Sequence, residues 1–166
     1  SHDLRRLSRS EGVTLFMTLL ATFDIVLSRY SGQQDVVVGS PIAGRNRFEI
    51  ERLIGFFVNT LVLRTDLSGD PTFRELLRRV REVALGAYEN QDVPFEKLVD
   101  ELKPERTMSR SPVFQVMFAL QNAPAAENAK LADLTMIPLI AETGTVKFDL
   151  SMIVEEGEGG LTASLR

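Results

Sequence analysis

The sequence predicts an α/β protein, a mixed-sheet α/β sandwich, and two observations lead to that prediction. Residues 35–39 (DVVVG) form a continuous β-branched run bounded by Pro41, whereas the last part of the chain alternates apolar and polar residues. A continuous run is typical of a strand covered on both faces, and alternation is typical of a strand with one drier face. Helical patterns precede most of these strands and no internal repeat is visible, so we expect a single mixed α/β domain.

The N-terminal part of the chain predicts two helices. A short polar helix over residues 3–9 ends at the Glu11-Gly12 break, after which Thr14 is a good N-cap for a second helix. Residues 13–27 are apolar almost all round, which predicts a buried core helix. The stretch is too short to cross a bilayer and is interrupted by polar side chains such as Asp24, so we predict no membrane association.

The middle of the chain predicts a strand and two further helices. Residues 57–65 alternate in the manner of a strand. A turn then leads into a helix for which Asp70 is the expected cap and Pro71 the first helical residue. A shorter helix is predicted over residues 94–102, where Pro94 and an acidic first turn favour helix initiation.

The C-terminal part predicts strands separated by loops. Residues 114–121 and 147–154 alternate as strands, and residues 122–130 are predicted to be an exposed loop. A glycine-rich turn at residues 157–160 leads into a returning strand over residues 161–165, which predicts a terminal β-hairpin.

Composition excludes several classes of function. Apolar residues make up 44% and charged residues 25% of the chain, which are ordinary values for a globular domain. The net charge of −4 lacks the basic excess expected of a nucleic-acid-binding protein. There is no cysteine, which fits a reducing cytoplasm, and the single histidine is His2 near the start of the chain. One such histidine cannot build a His-rich metal site, so we predict no bound metal.

Three stretches together carry a family resemblance. They are IGFFVNT at residues 54–60, followed by Arg64, then QDVPFE at residues 91–96 and RTMSRSP at residues 106–112. Their order and spacing resemble the three late motifs of condensation domains of nonribosomal peptide synthetases, which read IGxFVNT ending in Arg, (H/N)QDxPFE and RDxSRxPLF. The GSPIAGR segment at residues 39–45 resembles a further segment that follows a strand in this family.

The resemblance implies a fold and a place within it. Condensation domains consist of two lobes that each resemble chloramphenicol acetyltransferase, with a reaction tunnel between them. This chain is similar to the C-terminal lobe, and we expect residues 1–166 to be that lobe, cut at both ends. The HHxxxDG motif, which carries the histidine implicated in amide formation, does not occur in the sequence. We therefore predict no catalytic residue in this chain and no activity of the lobe alone.

The resemblance also implies an activity and partners. A condensation domain joins a donor aminoacyl or peptidyl thioester to the amine of an acceptor, each held on the phosphopantetheine arm of a carrier protein. The predicted cofactor is thus phosphopantetheine on partner carriers, with none bound by this chain. The predicted partners are the N-terminal lobe, peptidyl carrier proteins and an adjacent adenylation domain in the cytoplasm. An exposed tunnel face also predicts self-association of the isolated lobe.

Three polar residues are candidates for the site. Asn59 interrupts an otherwise apolar strand face, so its amide must either be hydrogen-bonded by the protein or lie beside a wet cavity. The resemblance places Asn59 and Ser40 beside the substrate tunnel. Arg45 is a candidate contact for a carrier protein or for the phosphate of phosphopantetheine, although loop arginines more often serve solubility or surface ion pairs.

Alternative functions remain open at this stage. One alternative is a non-catalytic module that docks carrier proteins or the other lobe. The other is a lobe of an epimerisation or cyclisation relative. Arginines on the helix after residue 71 could face an acidic carrier protein. A solvated face is the preferred interpretation, because Glu75 with Arg79 and Arg78 with Glu82 are spaced for helical ion pairs.

Overall fold

The computed structural model describes residues 2–45, 48–51, 53–104, 111–121, 147–157 and 159–166. The elements in that part of the chain are α1 (His2–Ser10), α2 (Leu15–Ser31), β1 (Asp35–Ile42), α3 (Phe48–Glu51), β2 (Asn59–Asp66), α4 (Phe73–Glu89), α5 (Phe95–Leu102), β3 (Val116–Gln121), β4 (Leu150–Gly157) and β5 (Gly160–Leu165). The predicted loop at residues 122–130 and most of the third motif, at residues 105–110, lie outside the described residues.

The strands form one mixed sheet in the order β2-β1-β3-β4-β5. β1 pairs antiparallel with β2 and parallel with β3, and β3 pairs parallel with β4. β4 and β5 form the predicted antiparallel hairpin at the far edge. The mixed α/β fold predicted from the sequence is therefore confirmed, with β1 as an interior strand.

The hydrophobic core lies where α2 and α4 pack on the sheet. Phe118 of β3 is fully buried at its centre, and its ring centroid lies 5.4 Å from that of Phe16 and 5.7 Å from that of Phe23. Val38 and Leu63 contribute from β1 and β2, opposite each other in the strand register. Burial of these side chains is the main favourable contribution to folding.

The helix starts follow local capping rules. The Thr14 side chain accepts a hydrogen bond from the Met17 N–H at 3.2 Å, which confirms Thr14 as the N-cap of α2. The predicted start of α4 at Asp70 and Pro71 is wrong, because α4 begins at Phe73 with Thr72 as its N-cap. Thr72 and Glu75 form a reciprocal capping box, and this pairing is more favourable than an Asp-Pro start because it satisfies two backbone N–H groups.

Two strand boundaries differ from the sequence prediction. β1 continues through Pro41 to Ile42, whereas the sequence predicts that Pro41 ends it. β3 pairs with β1 only at Val38 and Gly39, so Pro41 lies on a stretch with one neighbouring strand, where a residue without an N–H is tolerated. β2 begins at Asn59 instead of residue 57, which leaves the apolar residues before it outside the strand.

The helical ion pairs expected on α4 do not lie within ion-pair distance among the described residues. The Glu75 carboxylate is used by the capping box, and its hydrogen bonds from Thr72 lower its pKa. The Arg79 guanidinium donates to the carbonyl oxygens of Asp66 at 2.7 Å and Ser68 at 3.0 Å. Arg79 thereby ties α4 to the end of β2. The other arginines of α4, Arg74, Arg78 and Arg81, are exposed on its outward face.

α2 is the buried core helix that the sequence predicts, with one unusual residue. Asp24 is 1% exposed, and within the described structure neither of its carboxylate oxygens has a hydrogen-bond partner. Burial raises its pKa to about 7, although the neighbouring Thr65 hydroxyl opposes the shift without reaching hydrogen-bond geometry. No described helix is by itself long and apolar enough to cross a membrane; α1 and α2, bent by 98°, pass that test only as a pair, as buried core helices also do.

Candidate functional site

Asn59 connects the first two sequence motifs. Its Nδ2 group donates to the carbonyl oxygens of Gln91 at 2.8 Å and Val93 at 2.7 Å. Its Oδ1 atom accepts from the backbone N–H groups of Thr60 at 2.9 Å and Phe95 at 3.1 Å. The side chain therefore holds the QDVPFE segment against the start of β2 and positions the first residue of α5.

These hydrogen bonds favour the structural interpretation of Asn59. A carboxamide has two N–H donors and one carbonyl acceptor, and in this arrangement both donors and both oxygen lone pairs are used by backbone groups. Donation to a substrate oxyanion would require Asn59 to release a backbone carbonyl. The tunnel contact of Asn59 thus stays a prediction, while its role in positioning the loop is a direct consequence of the geometry.

We expect Asn59→Ala to destabilise the chain by about 2 to 4 kcal/mol, because it leaves several partly buried backbone groups without partners. Urea denaturation measures this free energy of unfolding. Asn59→Asp should also destabilise, because it keeps the acceptor but places a carboxylate against two carbonyl oxygens. Asn90→Ala is the matched control in the same loop, since it removes a single hydrogen bond to the Gly86 carbonyl. Equal costs for Asn59→Ala and Asn90→Ala would contradict the proposed clamp.

Arg45 organises the segment that follows β1. Its guanidinium donates to the carbonyl oxygens of Ile50 at 2.8 Å, Leu53 at 2.7 Å and Gly55 at 3.3 Å. Its Cζ atom lies 4.4 Å from the centre of the Phe57 ring, a cation–π distance. Neither of the roles expected from sequence, a phosphate contact or a solubilising loop cation, describes these bonds. The carrier or phosphopantetheine contact of Arg45 stays a prediction.

The two glycines of the GSPIAGR segment sit where other parts of the chain approach closely. A Cβ atom on Gly39 would lie 2.2 Å from the ring of Phe114, which is buried. Gly44 has a φ of +62°, and a Cβ atom there would lie 2.0 Å from the Phe57 carbonyl oxygen. The segment therefore allows both neighbours to pack against the backbone of β1 and the loop after it.

Ser40 lies inside the lobe. It is 4% exposed and pairs with Leu61 in the strand register, on the side of β1 that also carries Val36 and Val38. A side chain in this position packs against the core and is not presented at an open surface. The predicted tunnel contact of Ser40 is untested by this arrangement and stays a prediction.

The QDVPFE motif is architectural, as its sequence indicates. Pro94 is the N-cap of α5, so the helix begins at Phe95, one residue later than the sequence predicts. The Phe95 ring lies 5.5 Å from the Phe114 ring, which in turn stacks on Phe148 at 5.5 Å. This row of rings packs the start of α5 against the residues that precede β3 and β4, and so supports the loop that Asn59 binds.

Arg64, which closes the first motif, makes a cross-strand ion pair. Its Nε and terminal nitrogen donate to the two carboxylate oxygens of Asp35 at 2.9 Å and 2.7 Å. The hydrogen bonds from Arg64 lower the pKa of Asp35. Both side chains are exposed, so the pair links β1 to β2 at the surface and contributes little stability.

The residues between α3 and β2 form an exposed apolar segment at residues 53–58. Ile54 is 105% and Phe56 88% exposed, and Leu53 and Val58 are about half exposed. Phe48, on the preceding helix, is also exposed. Arg45 holds one end of the segment and Asn59 follows the other, so these side chains are displayed on a positioned backbone. Such a concentration of large apolar side chains is typical of an interaction surface.

The chemistry available at this site is positioning and binding. The side chains of Asn59 and Ser40 carry no group that titrates near neutral pH. The single histidine in the sequence, His2, lies at the start of α1 with a 91% exposed side chain. Sequence reasoning missed the Arg45 clamp and the Asp24 carboxylate, which has no hydrogen-bond partner among the described residues. For Asp24, the available signal was a charged residue within an apolar helix.

Fold and site together define one class of protein, an α/β lobe of the chloramphenicol acetyltransferase type that displays an exposed apolar segment. A comparison with protein families matches the condensation domain over residues 1–166. The chain is 60% identical over 163 residues to one of the linear gramicidin synthase proteins of Brevibacillus parabrevis, covering 97% of this chain and 2% of that protein. A dimodular nonribosomal peptide synthase of Bacillus subtilis (strain 168) is 50% identical over 153 residues, covering 92% of this chain and 6% of that protein.

The solved X-domain from teicoplanin biosynthesis superposes with a TM-score of 0.82 at 29% identity, covering 98% of this chain and 38% of that chain. The chain therefore belongs to the condensation-domain family, as the three motifs predict. It spans only 2 to 3% of the length of the linear gramicidin synthase proteins that it matches.

Proposed function

We propose that this chain is the C-terminal lobe of a nonribosomal peptide synthetase condensation domain and forms one wall of a tunnel in which an amide bond is made. The observation that carries the proposal is the exposed apolar segment at residues 53–58, held by Arg45 and followed by Asn59. Leaving Ile54 and Phe56 in water is unfavourable for a lobe that acts alone. A second lobe that covers them accounts for their exposure.

In the proposed reaction, the acceptor's amine nitrogen attacks the carbonyl carbon of the donor thioester. A C–N bond forms, the C–S bond breaks, and the donor carrier's sulfur leaves as a thiolate. The proton lost by the amine passes through a base or solvent to that thiolate, which becomes the free thiol. The site residues of this lobe include no base for that proton, so we assign proton transfer to the second lobe, which carries HHxxxDG. This lobe contributes by holding the two tethered substrates in reach of each other.

The proposal is tested by mass spectrometry of the acceptor carrier. Donor-loaded and acceptor-loaded carrier proteins are incubated with the 166-residue chain, with the HHxxxDG lobe, or with both. We expect the amide product only in the sample that contains both lobes. Phe56→Asp should abolish product formation, because it buries a carboxylate in the interface between the lobes. Tyr30→Asp is the matched control, since Tyr30 is a 92% exposed aromatic residue on α2, and it should leave product formation unchanged.

The other outcomes separate the alternatives. Product from this chain alone would contradict the division of labour between the lobes. Lobe association without product would favour a docking module, and inversion or cyclisation of the donor without condensation would favour an epimerisation or cyclisation relative. The phosphopantetheine arms, the adjacent adenylation domain, the self-association of the isolated lobe and the cytoplasmic location are further parts of the proposal. Sedimentation of the chain with and without Phe56→Asp tests the self-association.

A further inference from the structure

The outward face of α4 carries a row of arginines that the proposed reaction does not use. Arg74, Arg78 and Arg81 are exposed and spaced so that they lie along one side of the helix, and we call this row the arginine stripe. Leu85, 39% exposed, continues the same side one turn further on. The opposite side of α4 is buried in the core, so the helix cannot rotate to hide the stripe.

The charges of the stripe are only partly balanced. Arg74 is paired with Glu11 at 2.9 Å. The pKa of Glu75 is lowered mainly by its hydrogen bonds from Thr72, and the charge of Arg78 adds a smaller contribution. Among the described residues, Arg78 and Arg81 have no carboxylate within 4 Å and no hydrogen bond to another group. The stripe thus presents at least two guanidinium groups that are available to a partner.

The stripe also has a shape that a partner could fill. A shallow cavity of about 450 Å³ lies between the three arginines and the turn at Glu11 and Gly12, and its lining also includes Glu75. Guanidinium groups around a concave surface suit carboxylates and phosphates, which accept paired hydrogen bonds from them. The chain as a whole carries a net charge of −4, so this positive surface is a local exception to its overall charge.

We propose that the arginine stripe of α4 is a docking surface for the acidic face of a carrier protein, with Leu85 as its apolar contact. The inference rests on the proposed function, because a carrier must dock on the lobe for its thioester to reach the tunnel. The hydrogen bonds from Arg79 to the carbonyl oxygens of Asp66 and Ser68 hold α4, and with it the stripe, against the end of β2, which lets docking orient the incoming arm. The charges act by steering the partner and setting its orientation.

Direct binding tests the inference without requiring any reaction. A carrier-protein domain with a fluorophore on its phosphopantetheine thiol is titrated with the 166-residue chain, and fluorescence anisotropy gives the dissociation constant. For Arg78→Glu/Arg81→Glu we expect affinity to fall roughly tenfold or more, and wild-type affinity to weaken as salt is raised. The matched control is Arg29→Glu/Lys97→Glu, which makes the same change in charge at exposed positions on α2 and α5 that do not line the cavity beside the stripe, and should alter affinity less than about twofold.

A second readout keeps the docking inference separate from the proposed function. Amide formation from carrier-free thioesters, with the second lobe added, should be unchanged in Arg78→Glu/Arg81→Glu. Failure of the wild-type lobes to make any amide would overturn the proposed function, while the binding data would still decide the docking surface. Unchanged carrier affinity in the stripe variant, equal losses in the stripe and control variants, or equally tight wild-type binding of a short single-stranded DNA would each overturn the docking inference.

Discussion

Asp24→Asn is expected to abolish the pH dependence of stability between pH 5 and pH 8, a range over which the free energy of unfolding of the wild type should fall by about 3 kcal/mol. Asp24 lies in the core, 1% exposed, with neither carboxylate oxygen hydrogen-bonded within the described structure. Burial raises its pKa from 3.8 to about 7, and no charged group in the described part of the chain contributes to that shift. The nearby Thr65 hydroxyl only partly opposes it. The folded protein therefore favours a protonated, neutral Asp24.

The direction of the pH dependence follows from this shift. Between about pH 4 and pH 7 the folded chain binds a proton that the unfolded chain has released, so stability falls as the pH rises and levels off above 7. The pKa values of Asp35, Asp66 and Glu75 are lowered by their hydrogen bonds. Their contribution to the free energy of unfolding is therefore lost only as the pH falls through the acidic range. Their effect on stability therefore has the opposite sign to that of Asp24 and lies mainly below the pH range in which Asp24 titrates.

Urea denaturation at several pH values between 5 and 8 measures the effect. The free energy of unfolding of the wild type should fall as the pH rises across this range, whereas that of Asp24→Asn should stay nearly constant. At pH 8 the variant should therefore be more stable than the wild type. Asp35→Asn removes an exposed carboxylate and is the control, which should retain the wild-type slope. A wild-type slope that survives Asp24→Asn would show that another group titrates in this range.

Gly44→Ala is expected to destabilise the chain by about 3 kcal/mol, which is the second large effect. The residue has a φ of +62°, and an added Cβ atom would meet the Phe57 carbonyl oxygen at 2.0 Å. A backbone carbonyl cannot move aside as a flexible side chain can, so the loop after β1 would have to separate from Phe57. Arg45, the next residue, would then lose its stacking on the Phe57 ring and its carbonyl contacts.

Gly12→Ala is a closely matched control for this prediction. Gly12 has a φ of +65°, but a Cβ atom there would meet nothing within 4 Å. It should therefore cost only the backbone strain of about 1 kcal/mol. Urea denaturation gives the two costs, and hydrogen exchange over residues 53–58 reports whether the apolar segment is released. Equal costs for the two variants would mean that the contact with Phe57 contributes nothing.

Family and fold could be predicted because they depend on local patterns. The DVVVG run, the Thr14 cap and the alternation before the C-terminal turn each predict an element from neighbouring residues, and the structure places β1, α2 and β4 there. The errors are at element ends. The sequence favours a start of α4 at Asp70 because an Asp-Pro turn is a good helix start, but the Thr72 and Glu75 capping box stabilises a later start, at Phe73.

The site was predictable in its residues but not in their bonds. Asn59 could be recognised because an amide on an apolar strand must find partners, yet three of its four partners are 32 to 36 residues away, in the loop before α5 and at the first residue of α5. The sequence suggests that Arg45 contacts a carrier protein or a phosphate, whereas in the structure its guanidinium donates hydrogen bonds to the carbonyl oxygens of Ile50 and Leu53.

The sequence by itself determined the family, the mixed α/β fold and the residues that bear on the site, because motifs and periodicity are local properties of the chain. Only the tertiary structure decided that Asn59 and Arg45 act as clamps, that Ile54 and Phe56 are left exposed, and that Asp24 is buried without a hydrogen bond in the described part of the chain. Hydrogen bonding and desolvation depend on groups brought together from distant parts of the chain, and no local pattern specifies them.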